Sequence, residues 1–233
     1  MRKFLTARWE DLILVNYEVE QALLADRVPQ GTSLDLADGR CFISLVAFMF
    51  RETRVLGVPV PFHINFEEVN LRFYVKREAA EGIRRGVVFI KEIVPRFAIA
   101  TVALVFYGEP YQAWRMHHDI SEAQVAYEWR KGPSNNHLGV ERGESVGVPG
   151  DGSHGEFIIE HYWGYTKRGT RRTDEYKVEH PKWELFSAEN PQIEVDFAGT
   201  YGHEFDFLSR QKPYSVLLAK GSKISVYKGA KLA

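Results

Sequence analysis

The stretch FEEVNLRFYV, residues Phe66–Val75, constrains this chain more than any other. Read as a strand, it sets Glu68, Asn70 and Arg72 on one face and Val69, Leu71 and Phe73 on the other, because successive side chains of an extended backbone point to opposite faces. Two outcomes are open to such a strand. Its polar face meets bulk water, or the sheet closes on itself and that face lines a wet cavity. Only the second makes a binding site. Glu68 and Arg72 then stand roughly 13 Å apart along the strand, with Asn70 between them. A carboxylate, an amide and a guanidinium would share one space, in which Arg72 can hold a carboxylate or phosphate as a planar fork. The competing reading is a polar ladder that ties neighbouring strands or subunits together.

Most of the remaining chain also reads as strand. Aromatic residues are abundant, with 15 Phe, 11 Tyr and 5 Trp, which favours pleated surfaces and a lined pocket over a helical bundle. Alternation predicts strands over residues 6–17, 40–51, 120–130, 138–141, 176–179 and 182–186, and a final pair over 214–219 and 223–227 joined at Gly221-Ser222. Asp38-Gly39 is a hairpin-turn signal, and Gly82–Gly86 predicts a further turn. A short helix is expected over residues 18–26. Another is expected over 157–165, where Phe157, Glu160, His161 and Gly164 recur at helical spacing. Five glycines and a proline between Gly143 and Gly155 predict a surface loop. No stretch has the composition of a linker, so residues 1–233 are read as a single domain.

Composition narrows the functional classes. Thirty basic residues against 31 acidic ones leave a net charge of −1, so no global field attracts nucleic acid or anionic lipid. The basic tract Lys167–Arg172 has Gly and Thr at its centre, as a solvated hairpin tip would. No apolar run approaches the ~20 residues needed to cross a bilayer. Cys41 is the single cysteine, which excludes an internal disulfide, and its apolar neighbours suit a buried small hydrophobe. Neither a nucleic-acid nor a membrane partner is expected, and the reduced, soluble reading points to the cytoplasm.

Few residues carry a chemical signal beyond the polar strand. His161 is a candidate acid or base near neutral pH, set against a structural histidine packed among Tyr162, Trp163 and Tyr165. Lys91 is the one lysine inside a strongly apolar run, VVFIKEIV. Directed inward it would offer an amine, and directed outward it is a rim residue. The eight histidines are scattered, with no H-x-H, H-E-x-x-H or paired C-x-x-C spacing and no G-x-S-x-G elbow. No metal, no cofactor and no serine triad is therefore expected.

Several segments in order also carry a resemblance. Trp9, Pro29-x-Gly31-x-x-Leu34-Asp35, Asp38-Gly39, Phe66-x-Glu68-x-Asn70-x-Arg72-x-Tyr74-Val75, Arg85–Phe89, Tyr111-x-Ala113-x-x-Met116, Glu160–Tyr165 and His180-Pro181-x-Trp183 resemble the uncharacterised bacterial YqjF-like family. That family is similar in fold to acetoacetate decarboxylase. The resemblance implies an α+β protein, mostly antiparallel β: a cone-shaped barrel with a few helices, a central pocket and a helix over residues 95–105. Decarboxylase activity is not implied. In that enzyme family a Gly-x-Pro-Lys-Lys run supplies an imine-forming lysine, whereas the corresponding run here is Gly108-Glu109-Pro110-Tyr111-Gln112. Tyrosine and glutamine form no imine. The resemblance implies that Glu68, or Glu67 beside it, stands at the place of a pocket glutamate of that family.

The expectation is a small-molecule-binding barrel for an anionic or carbonyl-containing ligand, contacted by Glu68, Asn70, Arg72, Tyr111, His161 and Trp163. Two alternatives stay open. One is an enzyme acting by proton transfer next to a carbonyl, with Glu68 or His161 as the catalytic group. The other is a structural or assembly protein with no ligand, and a homo-oligomer fits either.

Overall fold

Long alternating segments, interrupted by glycines and short turns, give this chain an almost wholly β architecture. The computed structural model describes residues 2–59, 63–95, 111–169 and 172–232. Strands run over Lys3–Val19 (β1), Ser33–Leu34 (β2), Cys41–Val55 (β3), Val58–Pro59 (β4), Phe66–Ala79 (β5), Gly82–Pro95 (β6) and Tyr111–Ile120 (β7). They continue over Gln124–Lys131 (β8), Ser134–Gly147 (β9), Trp163–Arg168 (β10), Arg172–Glu179 (β11), Leu185–Glu194 (β12), Ser215–Tyr227 (β13) and Ala230–Lys231 (β14). Among the described residues two short helices, His154–Ile159 (α1) and Phe197–Tyr201 (α2), join them, with 3-10 turns at Gln21–Leu23, Ala25–Arg27 and His203–Ser209.

All the strands belong to one sheet, antiparallel except where β6 pairs with β7 and β10. Its pairings close two circuits that share β13, β1, β3, β5 and β6. One returns through β10 and β11, the other through β7, β8, β9 and β12. The shared strands are therefore covered on both faces, and Cys41–Phe50 is buried at every residue. Two apolar clusters result. Ile13, Leu45, Leu71 and Phe73 pack with Trp129 and Phe197 on one side. Leu12, Phe48, Phe66 and Tyr74 pack with Phe157, Tyr176 and Val178 on the other.

Several local expectations are corrected. The turn placed over Gly82–Gly86 is strand, with Ala79 opposite Gly82 and the chain reversing at Ala80-Glu81. Residues 18–26 begin as the end of β1 and continue as two 3-10 turns. Strand β9 runs on to Gly147 in place of a loop from Gly143, and β12 starts at Leu185 instead of Lys182. The predicted final pair is one strand, β13. Gly221 adopts φ +77°, and a Cβ there would lie 2.0 Å from the Trp9 carbonyl oxygen, so this glycine allows β1 to approach closely without a chain reversal. Asp38-Gly39 does turn the chain, with φ 50° and 80° and Ala37 bridged to Arg40. Of the helix expected over 95–105, Pro95 is instead the end of β6, and residues 96–105 lie outside the described residues, as does Gly108–Pro110. Among the described residues, no helix is long and apolar enough to cross a membrane.

Candidate functional site

Strand β5 delivers its even-numbered polar residues to the inside of the circuit closed by β10 and β11. Glu68 and Asn70 are 3% and 1% exposed. They face a hollow of about 40 Å³, enough for roughly two or three waters. Arg72, Glu92, Tyr111, His161 and Trp163 border the same hollow, and Trp9, Phe48, Phe50, Phe89 and Tyr176 supply aromatic walls. The six residues named from sequence thus converge on one space, although they come from β5, β7, β10 and the segment before β10.

A bulge decides which residues of β6 look inward. Leu71 pairs with Lys91, but Arg72 pairs with Phe89, so Ile90 is the extra residue. The slip turns Phe89 and Glu92 toward the hollow and sends Lys91 to the opposite side. There Lys91 Nζ donates to the Thr200 carbonyl and lies over the Tyr201 ring. No lysine borders the hollow, and the residues outside the description contain none.

Corrected geometry also repositions His161. The predicted helix over 157–165 is α1, ending at Ile159, with Ser153 accepting from the Glu156 N–H at its start. Trp163 and Gly164 instead pair with Gly86 and Val87 of β6, because β10 closes the circuit there. Gly164 is required at this point: an added Cβ would meet the Tyr176 ring at 2.1 Å. His161 thus sits in the link between α1 and β10, packed on Tyr74 and Phe157. Glu160 accepts from the Tyr162 hydroxyl.

Asp35, which carried no candidate role in the sequence, fixes the state of His161. Its Oδ2 lies 3.2 Å from His161 Nε2 and accepts from Arg85 Nε at 2.7 Å, with Lys76 Nζ 3.7 Å from Oδ1. Burial works to raise the Asp35 pKa, but the hydrogen bonds from His161 and Arg85 outweigh it and hold the carboxyl at about 2. Burial pushes His161 down to about 4; the Asp35 bond opposes this, and the charges of Arg85 and Arg72 add to it. At neutral pH the pair is a carboxylate and a neutral imidazole. Nε2–H must then donate to Asp35, leaving Nδ1 as a bare acceptor.

The polar groups around the hollow divide into satisfied and unsatisfied atoms. Asn70 Nδ2 donates to Glu68 Oε1 at 2.9 Å, and the Tyr111 hydroxyl donates to Glu92 Oε1 at 2.6 Å. Glu67, beside Glu68 in the chain, lies instead against His118 Nδ1 at 2.5 Å, away from the hollow. By contrast, Asn70 Oδ1, Arg72 Nε, His161 Nδ1 and Trp9 Nε1 are buried and find no hydrogen-bond partner among the described residues. Arg72 forms no ion pair among the described residues, and its guanidinium lies 5.9 Å from the Tyr74 ring. Each buried unmet polar atom costs roughly 1–3 kcal/mol, so four around one space is a costly arrangement. Among the described residues, no cluster of three or more His, Cys, Asp or Glu is placed to hold a metal ion.

Comparison with known proteins identifies the lineage. The profile of DUF2071, a family of uncharacterized conserved proteins, matches residues 6–223. The chain belongs to DUF2071. Another relative is the uncharacterized protein YqjF of Bacillus subtilis (strain 168), 34% identical over 76 residues. That match spans 32% of this chain and 31% of YqjF, about a third of the curated relative. Solved structures extend the likeness over the whole fold. The enzyme MppR in complex with pyruvate aligns with a TM-score of 0.71 at 12% identity, covering 100% of this chain and 92% of MppR. An acetoacetate decarboxylase-like enzyme from Sphingomonas wittichii RW1 aligns at 0.66 and 14%, covering 100% and 94%. Acetoacetate decarboxylase from Legionella pneumophila aligns at 0.68 and 10%, covering 99% and 87%. This DUF2071 chain therefore has an acetoacetate decarboxylase-like fold, mostly β with few helices.

Proposed function

We propose that this protein binds a small carboxylate or carbonyl-containing molecule in the hollow beside β5, with Arg72 as the anion anchor. The observation that carries the reading is Arg72 itself. It is a guanidinium at the wall of an aromatic-lined hollow, with a buried Nε from which no group among the described residues accepts. A bound carboxylate would supply that missing acceptor through charge-assisted hydrogen bonds. Asn70, His161 and Trp9 would complete the polar contacts, with Glu68, Tyr111 and Trp163 shaping the remaining wall. The pyruvate complex of MppR, a fold neighbour, is consistent with this ligand class. Imine chemistry does not fit, since no lysine borders the hollow.

A second reading makes the site catalytic, with His161 moving a proton next to a carbonyl. The Asp35–His161 hydrogen bond favours His161 over Glu68 in that role, because it fixes one tautomer and leaves the Nδ1 lone pair available. The assembly reading has less support: Glu68 and Asn70 are already buried within the single chain, so no second subunit is needed to cover them.

The test is calorimetric or NMR titration of short carboxylates into wild-type and Arg72→Met protein. Binding to the wild type that drops at least ~10-fold in the variant is expected, as befits loss of a charged hydrogen bond. Equal affinity for both proteins would remove Arg72 from the site.

A further inference from the structure

The unmet atoms around the hollow are of two kinds, and their mixture restricts the ligand further. Arg72 Nε and Trp9 Nε1 are donors, and Asn70 Oδ1 is an acceptor. His161 Nδ1 is an acceptor too. Asp35, itself held by Arg85 and Lys76, faces Nε2 and keeps the proton on that nitrogen. Asn70 cannot escape by flipping its amide, since its Nδ2 is engaged by Glu68 Oε1 at 2.9 Å. A flip would set two oxygens against each other. A plain carboxylate or a keto acid offers acceptors alone. It satisfies Arg72 and Trp9 but leaves Asn70 Oδ1 and His161 Nδ1 desolvated and unpaired.

Resting on the reading of the hollow as a carboxylate site, we infer that its ligand carries a hydroxyl beside the carboxylate, making the natural class a small hydroxy acid. The carboxylate accepts from Arg72 and Trp9, and the hydroxyl hydrogen is given to His161 Nδ1 or Asn70 Oδ1. A hydroxyl supplies that hydrogen without bringing a further buried charge into the hollow. Discrimination follows from the protein side: a site built around buried acceptors rejects the analogue that lacks the donor, because its own polar atoms are then left unpaired.

The experiment uses three matched probes on the unmodified protein: lactate, pyruvate and propionate, which differ only at the carbon next to the carboxylate. Lactate is expected to bind about 10-fold or more tightly than either analogue. Pyruvate binding as tightly as lactate overturns the hydroxyl inference and leaves the carboxylate reading standing. No binding by any of the three at millimolar concentration overturns both. His161→Phe keeps an aromatic ring while removing the acceptor, so the lactate-to-pyruvate ratio should move toward one; an unchanged ratio removes His161 from recognition. The wild-type ratio decides the matter even where the variant fails to fold.

Discussion

Along β5, Val69, Leu71, Phe73 and Val75 are all 0% exposed and pack into an apolar cluster. On the other face Glu68 and Asn70 are almost as deeply buried, yet they border a hollow instead of a filled core. One backbone thus presents two enclosed faces of opposite chemistry. The first is satisfied by the protein alone. Its hydrocarbon fills space, and tight packing there contributes stability. The second keeps buried donors and acceptors that no group among the described residues pairs, an arrangement that costs stability and suits a ligand.

The largest effect should come from opening the filled face. Phe73→Ala is expected to destabilise the protein by about 3–5 kcal/mol, read by chemical denaturation. A loss below ~1 kcal/mol would mean that this side is not the close-packed one. Acid should lower stability through His161 at the hollow and through His180, stacked on Trp183. Folded His161 and His180 titrate at about 4, both lowered chiefly by burial, against roughly 6.5 in an unfolded chain. Between those values the unfolded state binds more protons, so stability falls as pH falls. The histidine contribution should be complete above pH 6.5 and lost by pH 4, on the order of 2–3 kcal/mol for His161. Asp35, held at about 2, would extend the loss to lower pH. Melting temperature measured across that range should decline less steeply in His161→Phe, and an identical slope would show that His161 is not a buried neutral imidazole.

Closure of the hollow is probed at β10. Gly164→Ala drives a methyl group into the Tyr176 ring and should cost about 1–3 kcal/mol through overpacking, with ligand binding impaired because Tyr176 borders the hollow. Wild-type stability in that variant would place the close approach in doubt. Smallest of all should be the stability change in Arg72→Met, within about 1 kcal/mol in either direction, since the charge has no ion-pair partner among the described residues and its replacement is apolar. A large destabilisation there would make Arg72 a structural residue and break the contrast between the two faces.

Much of this was legible in order along the chain. The alternation FEEVNLRFYV specified which side chains share a face, the aromatic richness favoured strands, and Asp38-Gly39 turned the chain as its residue types require. Errors fell where distant pairing overrode local spacing. Residues 157–165 have helical periodicity, yet Trp163 and Gly164 extend because they pair with Gly86 and Val87 of β6. Lys91 alternates formally with Phe89, but the bulge at Ile90 separates them. Asp35 gave no signal as a partner of His161, since the two are 126 residues apart. Its place in the Pro29–Asp35 run was the nearest hint.

The sequence by itself determined the periodicity, and with it the fact that Glu68, Asn70 and Arg72 share one strand face. Whether that set faced water or an enclosed space was decided by the tertiary structure, when β10 and β11 bridged β6 to β13 and closed the ring. The physical reason is that side-chain direction follows from local backbone geometry. Enclosure depends on which remote strand supplies the hydrogen bonds of an open edge, and no local pattern encodes that partner.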